Sequence, residues 1–293
     1  MGYIFTILVL LAGATKGFCG KKISGDVSTL KGTFYMNMTR MLLCIVIGFF
    51  IVLPKGTSSF ITDAKTLLIT FVSGISTAMF VVFWIFCVRR GSYVMLDVFL
   101  MLGGGLTIAL CKTFFNEAIS TNQLIGFLLL VIASFIMCSY SSNIKGGFSL
   151  PSFLLLLLCG IFSGFTDFSQ KWFIHSVPSG DAGIFNFYTY LFAALVLFVC
   201  FLIADKSEKA PNDGKSKKVF LVICVMSICL FAHSYFKTLA AKYIPAAILY
   251  PLISGAALIL SALMACIFFK EKITPKCILG IIIAISAIVI MNL

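Results

Sequence analysis

The chain has 293 residues, of which 61% are hydrophobic and only 11% charged, and its net charge at pH 7 is +12. Soluble domains carry about 25% charged residues, so this composition excludes an ordinary soluble protein and indicates an integral membrane protein. Eleven cysteines are scattered singly, without the Cys-x-x-Cys spacing of a metal site, and we expect neither a metal nor another cofactor.

Apolar runs of helical length follow one another along the whole chain. A helix needs roughly 20 apolar residues to cross the hydrocarbon core, and no run shows the alternating pattern of a barrel strand. We therefore predict an all-α integral membrane protein with ten transmembrane helices. The runs lie at about residues 2–20, 32–53, 66–88, 92–113, 120–141, 151–173, 182–204, 218–241, 245–268 and 274–292.

The first of these runs is similar to a signal peptide, but it lacks a basic start. Its segment Gly13-x-x-x-Gly17-Phe18 recurs in the sixth run as Gly160-x-x-x-Gly164-Phe165. A segment that is repeated inside the fold indicates a structural helix, so we predict that the first helix is retained. We interpret these glycines, together with Gly103–Gly105 in the fourth run, as positions of close helix packing.

A longer repeat joins the ends of the two halves of the chain. The segment Phe114-Phe115-Asn116-Glu117-Ala118-Ile119-Ser120 matches Phe268-Phe269-Lys270-Glu271-Lys272-Ile273-Thr274 at a constant offset of 154, and the match runs on to Met137 and Met291. We predict two five-helix units, at residues 1–145 and 146–293. Because five is odd, the second unit enters the membrane from the opposite side, which makes the repeat inverted.

The distribution of basic residues predicts the orientation of the chain. Loops that follow odd-numbered helices hold 14 of the 22 Lys and Arg residues, whereas the opposite loops hold four: Lys55, Lys65, Lys171 and Lys242. The positive-inside rule then places the first set of loops in the cytoplasm and both termini outside. Topology thus explains most of the positive charge, and we expect no nucleic-acid partner.

The other four basic residues and two aspartates fall inside predicted helices. A charge near the bilayer centre costs at least ~2.5–3.5 kcal/mol, so each requires compensation. Arg40 lies close to mid-membrane and either lines a cavity or forms a structural ion pair. Lys16 and Lys112 lie nearer to helix ends, where snorkelling is the alternative, and it is the favoured one for Lys112. Asp97 and Asp167 are interpreted as partners of buried cations.

The eighth predicted helix carries two polar residues on one face. His233 and Lys237 are four residues apart, so their side chains project from the same face, and we expect that face to line a cavity. Aromatic and amide residues complete the candidate lining: Trp84, Asn37, Asn186, Tyr188, Tyr235 and Tyr250. From this set we predict that the substrate is bound by Arg40, His233, Lys237, Lys16, Trp84, Asp167, Tyr188 and Tyr250.

Glu117 and Glu271 each stand just before a predicted helix. A carboxylate in that position complements the N-terminal end of the helix dipole and accepts hydrogen bonds from free amides. We therefore interpret both residues as caps of the helices that follow them, in preference to a catalytic or proton-relay role.

With these features the chain resembles the drug/metabolite transporter superfamily, and specifically its EamA-like branch. The resemblance rests on the paired turns that run from Phe115 to Gly126 and from Phe269 to Gly280, on Arg40, and on residues 240–246 before the ninth helix. It covers the whole chain and implies a ten-helix permease whose central cavity is formed chiefly by helices 1, 3, 4, 6, 8 and 9. Members of the superfamily carry amino acids, drugs, sugars, nucleotide sugars or phosphorylated sugars.

We therefore predict a secondary transporter, not an enzyme, that moves small polar solutes across the plasma membrane by alternating access. Cations outnumber carboxylates four to two within the predicted spans that form the cavity, which favours amino-acid-like or other solutes that bear a carboxylate or phosphate. The runner-up is a multidrug exporter of lipophilic cations with Asp167 as its carboxylate; an intramembrane enzyme and a receptor or scaffold are less favoured.

The expected partners follow from this function. They are the small-molecule substrate, the lipid bilayer, and a coupling proton or an exchanged solute. No ATP-binding motif occurs in the sequence, so we do not expect primary active transport by this chain alone. The expected state is a monomer or a homodimer.

Overall fold

The computed structural model describes residues 1–23, 29–90, 93–138, 150–204, 217–269 and 275–293. Within these ranges the chain forms ten α-helices and no β-strand, which confirms the predicted all-α architecture. The helices are α1 (Gly2–Ile23), α2 (Leu30–Val52), α3 (Ala64–Arg90), α4 (Tyr93–Phe115), α5 (Thr121–Cys138), α6 (Leu150–Ser176), α7 (Ala182–Ile203), α8 (Lys217–Ala241), α9 (Ala246–Phe269) and α10 (Pro275–Met291). Two short 3₁₀ turns, Leu53–Lys55 and Thr57–Phe60, connect α2 to α3.

Most of the helices have the length and apolar character that a bilayer requires. Seven of them (α1, α2, α3, α6, α7, α8 and α9) contain a stretch that is long and apolar enough to cross a membrane. The described apolar segments of the other three are shorter, at Phe99–Phe115, Thr121–Ala133 and Ile278–Met291. Large apolar side chains such as Leu128 on α5 and Ile282 on α10 are exposed on the outside of the bundle, as expected for a surface that faces lipid.

Local sequence explains where several helices begin. The Thr29 hydroxyl accepts a hydrogen bond from the Gly32 amide at the start of α2 (3.0 Å), and the Asp181 carboxylate accepts from two amides at the start of α7. Ser120 and Gln123 cap α5 reciprocally, because the side chain of each accepts from the amide of the other. These contacts satisfy amides that have no partner inside their own helix.

Helices from the two halves of the chain interleave. α1 packs against α8 and α3 packs against α6, while α2, α4 and α5 pack against α7, α9 and α10, respectively. Exchanging each helix with the one five places along the chain converts this set of contacts into itself. The polar site described below lies between the two halves.

Glycine residues let α4 and α6 approach each other closely. A Cβ atom added to Gly103 would lie 2.2 Å from the Gly160 carbonyl oxygen, and one added to Gly164 would lie 2.6 Å from the Gly103 carbonyl oxygen. The Thr107 hydroxyl donates to the Gly164 carbonyl across the same contact (2.9 Å). Close packing is therefore present at this copy of the repeated glycine segment. In the other copy Gly13 faces the ring of His233, so there the glycine makes room for a polar side chain.

Candidate functional site

A cavity of about 140 Å³ lies in the centre of the bundle. Since a buried water occupies roughly 10–15 Å³ on this measure, the cavity has room for on the order of ten waters or a small solute. Its walls come from α1, α3, α4, α6, α8 and α9, the helices that the family resemblance implied, and Tyr190 of α7 also contributes. The cavity contains the charged residues Lys16, Asp97, Asp167 and Lys237, together with His233 and Trp84.

Two charged residues on opposite walls form an ion pair. The Lys237 Nζ atom of α8 lies 2.5 Å from Oδ1 of Asp167 on α6, and both side chains are about nine-tenths buried. The Tyr250 hydroxyl of α9 donates to the backbone carbonyl of Asp167 (2.8 Å), so three helices meet at this point. Asp167 thus has the pairing role expected of it. Because its charge is matched by Lys237, the pair adds little net charge to the cavity.

His233 lies one turn before Lys237 and lines the same cavity. Its Nδ1 atom is 3.0 Å from the carbonyl oxygen of Val9 on α1. A carbonyl oxygen can only accept, so Nδ1 carries the hydrogen, and in the neutral ring Nε2 is left as an acceptor. His233 therefore ties α8 to α1.

Arg40 lies in α2, behind the main cavity, and is 2% exposed. One guanidinium nitrogen donates to Oδ1 of Asn37, one turn earlier (2.8 Å). Its Nε atom has no hydrogen-bond partner, and no carboxylate within the described ranges lies within 4 Å of the guanidinium. The ion pair that was one of the two expectations for Arg40 is therefore not present among these residues.

Lys16 connects this region to the main cavity. Its side chain lines both the main cavity and a void of about 10 Å³ next to Arg40. In the part of the chain that the structure describes, no carboxylate lies within ion-pair distance of Lys16. Lys16 thus faces the interior, and snorkelling towards the helix end does not describe it.

Asp97 faces the main cavity, and no cation of the described ranges forms an ion pair with it. The residue is buried, the Ser261 hydroxyl lies next to its carboxylate, and Oδ2 has no hydrogen-bond partner among the described residues. The expectation that Asp97 neutralises a buried cation by direct pairing is wrong for the described ranges, because no basic nitrogen there lies within 4 Å of it.

Two of the predicted binding residues do not line the cavity. Tyr188 of α7 donates to the backbone carbonyl of Phe60 (2.6 Å) and stacks edge-on against Phe187, outside the cavity. Tyr250 is fully buried behind the wall, where it holds the Asp167 carbonyl. Of the remaining six, Arg40 lines the small void, and the other five line the main cavity: Lys16, Trp84, Asp167, His233 and Lys237.

A second ion pair closes the bundle near the ends of α4, α6 and α8. Lys171 of α6 lies 3.2 Å from Oε1 of Glu117 and donates to the backbone carbonyl of Ile244 (2.9 Å). The other oxygen of Glu117 accepts from the amide of Ala246, the first residue of α9 (2.9 Å).

These contacts correct two expectations from the sequence. Glu117 caps α9, not the helix that follows it, because Ser120 and Gln123 already cap α5. Lys171, counted with the loop cations, is buried inside α6. Glu271, the counterpart of Glu117 in the repeat, lies outside the described residues.

Several small polar residues in the lining were not identified from the sequence. On α6 the cavity-lining residues are Ser163, Thr166, Asp167 and Gln170, and on α8 they are Leu230, His233, Ser234 and Lys237. Both sets follow the spacing i, i+3, i+4, i+7, which describes one face of a helix. Serine and threonine are tolerated in apolar helices because they bond to the preceding turn, so this spacing was the available signal.

Comparison with known proteins agrees with the all-helical fold. A model of the EamA-like transporter family matches residues 150–293. The Multidrug resistance protein EbrA of Bacillus licheniformis is 36% identical over 102 residues, which are 33% of this chain and 95% of that protein. One protein of known crystal structure superposes with a TM-score of 0.77 over 99% of this chain and 95% of its own, at 12% identity, a likeness of fold alone. The chain belongs to the EamA-like transporter family, a family of membrane transporters.

Proposed function

We propose that this protein is a secondary transporter of the plasma membrane that moves small polar solutes bearing a carboxylate or phosphate. The observation that carries this proposal is the charge around the two adjoining voids. Lys16, Arg40 and Lys237 face two aspartates there, and one of these aspartates is committed to Lys237. Lys16 and Arg40 remain without a carboxylate within 4 Å among the described residues, and an anionic solute would compensate them.

Alternating access is the mechanism we infer, with residues 1–145 and 146–293 as two inverted units. The symmetric set of helix contacts supports this, because rocking of two related units around a shared site exchanges one set of contacts for its counterpart. The Glu117–Lys171 pair closes one end of the bundle near α9. In the other half of the cycle this pair separates and the site opens towards that end. A coupling proton or an exchanged solute supplies the driving force.

A multidrug exporter of lipophilic cations is the second candidate. EbrA, the relative named as a multidrug resistance protein, favours it. So does Asp97, a buried cavity carboxylate with one unpartnered oxygen, and the aromatic residues Phe80, Trp84 and Tyr190 in the lining could stack on a flat cation. The sequence suggested Asp167 as the carboxylate that binds the drug cation, but Asp167 is paired with Lys237. Under this second hypothesis, Asp97 is instead the carboxylate that a drug cation would contact.

Transport into proteoliposomes separates the two candidates. Purified protein is reconstituted, and uptake of labelled amino acids, dicarboxylates and sugar phosphates is compared with efflux of ethidium. We expect Lys237→Met to reduce anion uptake, because it removes a cation and exposes the negative charge of Asp167. Under the drug-cation hypothesis the same change retains or increases ethidium efflux.

A matched control comes from Tyr188→Phe, which lies outside the cavity and should leave uptake unchanged. If no anionic solute accumulates above empty liposomes, while ethidium does move and its efflux depends on Asp97, the first proposal fails and the second replaces it.

A further inference from the structure

Lys16 and Arg40 share a void that is distinct from the main cavity. The void measures about 10 Å³ and is lined by Lys16, Arg40, Phe80, Val81, Trp84 and Leu230. It is large enough for about one water-sized group. The two voids share four lining residues and therefore adjoin each other, with the small one on the side of α2; the shared residues are Lys16, Phe80, Trp84 and Leu230.

Apart from Lys16, the groups that Arg40 meets among the described residues are neutral. Its guanidinium contacts the amide oxygen of Asn37. The thiol of Cys44, one turn later on α2, and the phenol of Tyr190 on α7 lie near it, and their polar atoms are directed to the backbone carbonyls of Ser227 and Leu230. The Nε–H group of Arg40 remains without a partner in the described part of the chain.

The carboxylates nearest to Lys16 do not compensate it by direct contact. Asp167 and Asp97 are close enough to interact with Lys16 through space, yet neither lies within 4 Å of its amine in the described structure. Asp167 already accepts from Lys237 at 2.5 Å. A partly buried cation on α1, Lys16, and a buried one on α2, Arg40, therefore face one void, and no carboxylate of the described residues lies within 4 Å of either.

Such an arrangement requires compensation, because an isolated charge in a low-dielectric interior is strongly disfavoured and a second like charge adds repulsion. A void of about one water-sized group next to an unsatisfied guanidinium N–H and a lysine amine suits one oxygen of a carboxylate or a single halide ion. A bulky organic group does not fit there.

We propose that Lys16 and Arg40 together form the binding site for a compact anionic group, and that the body of the solute occupies the main cavity beside Trp84. The anion is either the carboxylate of the transported solute or a free halide ion. In the first form the inference rests on the proposed function, since it identifies the residues that recognise the anionic end of the substrate. Lys237 does not bind the anion in this proposal, because it forms the ion pair with Asp167.

The fluorescence of Trp84 can be used to measure anion binding at this site. Trp84 is one of two tryptophans in the chain, and it lines both voids. A Cβ added to Gly20 would fall 2.4 Å from its ring, so the indole lies directly against α1. In a Trp172→Phe background, bromide bound beside Trp84 should quench its fluorescence in a saturable manner, and acetate should relieve the quenching by competition.

Substitutions of the two cations test whether they bind the bromide that quenches Trp84. Lys16→Met and Arg40→Gln should each weaken bromide binding about tenfold or more, because each removes a charge-assisted contact. Lys112→Met removes an exposed cation at the end of α4 and should leave the bromide curve unchanged. Thermal unfolding of each variant establishes that it is folded. If Arg40→Gln does not fold, Lys16→Met alone carries the test.

The outcomes separate the sources of the anion and also separate this inference from the proposed function. Competition by acetate, together with protection by a transported solute but not by its methyl ester, assigns the site to the substrate carboxylate. Bromide binding that transported solutes leave unaffected assigns it to a free halide. Bromide binding in a protein that transports no anion retains this site and overturns the proposed function. Quenching that rises linearly with bromide and is equal in Lys16→Met, Arg40→Gln and the parent overturns the inference.

Discussion

Replacing Lys237 by Met should destabilise the protein because it leaves Asp167 buried without its cation. The Nζ–Oδ1 distance is 2.5 Å and the two side chains are only 10% and 11% exposed, so bulk solvent does not replace the lost contact. Removing one member of a buried ion pair costs roughly 3–5 kcal/mol. Methionine has a similar length to lysine, so the packing of α8 is largely retained.

The free energy needed to protonate Asp167 limits how much stability the Lys237→Met variant can lose. An aspartate with the ordinary pKa of about 3.9 can be neutralised at pH 7 for roughly 4 kcal/mol, and at pH 5 for roughly 1.5 kcal/mol. The unpaired carboxylate can always take up a proton instead of remaining charged, so its penalty cannot exceed those values. We therefore expect Lys237→Met to lose about 3–4 kcal/mol of unfolding free energy at pH 7 and no more than about 1.5 kcal/mol at pH 5.

The double variant Lys237→Met/Asp167→Asn tests the reasoning. With both charges removed, most of the lost stability should return, because replacing a whole buried pair by neutral groups is often close to neutral. The assay is denaturant unfolding in detergent micelles at the two pH values, with Lys112→Met as the surface-cation control. If the single and double variants unfold at the same denaturant concentration at pH 7, and pH has no effect on the difference, the buried pair does not have the role assigned to it.

Three further predictions concern packing, a surface ion pair and orientation. Gly103→Ala should destabilise by more than about 1 kcal/mol, since its Cβ would meet the Gly160 carbonyl at 2.2 Å, whereas Gly104→Ala, with 3.7 Å to its nearest atom, should be tolerated in the same thermal-unfolding assay. Burial raises the pKa of Asp181, but hydrogen bonds from Lys55 and from backbone amides outweigh this effect, so the pKa is lowered overall. The partly exposed Lys55–Asp181 pair therefore contributes about 0.5 kcal/mol of stability above pH ~4, and this stability is lost as the pH falls through the lowered pKa. Lys55→Met should show a smaller loss, because the backbone amides of Gly183 and Ile184 still bond to Asp181, and an equal acid response in parent and variant would contradict the assignment. Cysteine placed at Asn116 should be labelled by an impermeant reagent from outside the cell, and cysteine at Lys22 only after permeabilisation; the reverse pattern would place the termini in the cytoplasm.

The helices of this protein could be predicted from local sequence. Each run of roughly 20 apolar residues is long enough to span the bilayer, and a chain in lipid must satisfy its amides within one segment, so length and composition decide helix number without tertiary information. The two sets of cavity-lining residues on α6 and α8 could also be read from spacing alone, because a helix places residues i, i+3, i+4 and i+7 on one face.

The contacts between polar groups depend on how distant helices pack and could not be predicted in this way. The partner of Lys237 is Asp167, 70 residues away, and the helix that Glu117 caps begins 129 residues later, at Ala246. Similarly, Lys171 is buried while Lys112 is exposed, although both stand near the end of an apolar helix. Helix formation in a membrane depends on local hydrogen bonds and local hydrophobicity, whereas the neighbour of a buried charge depends on how distant helices pack, and no spacing within one segment encodes that.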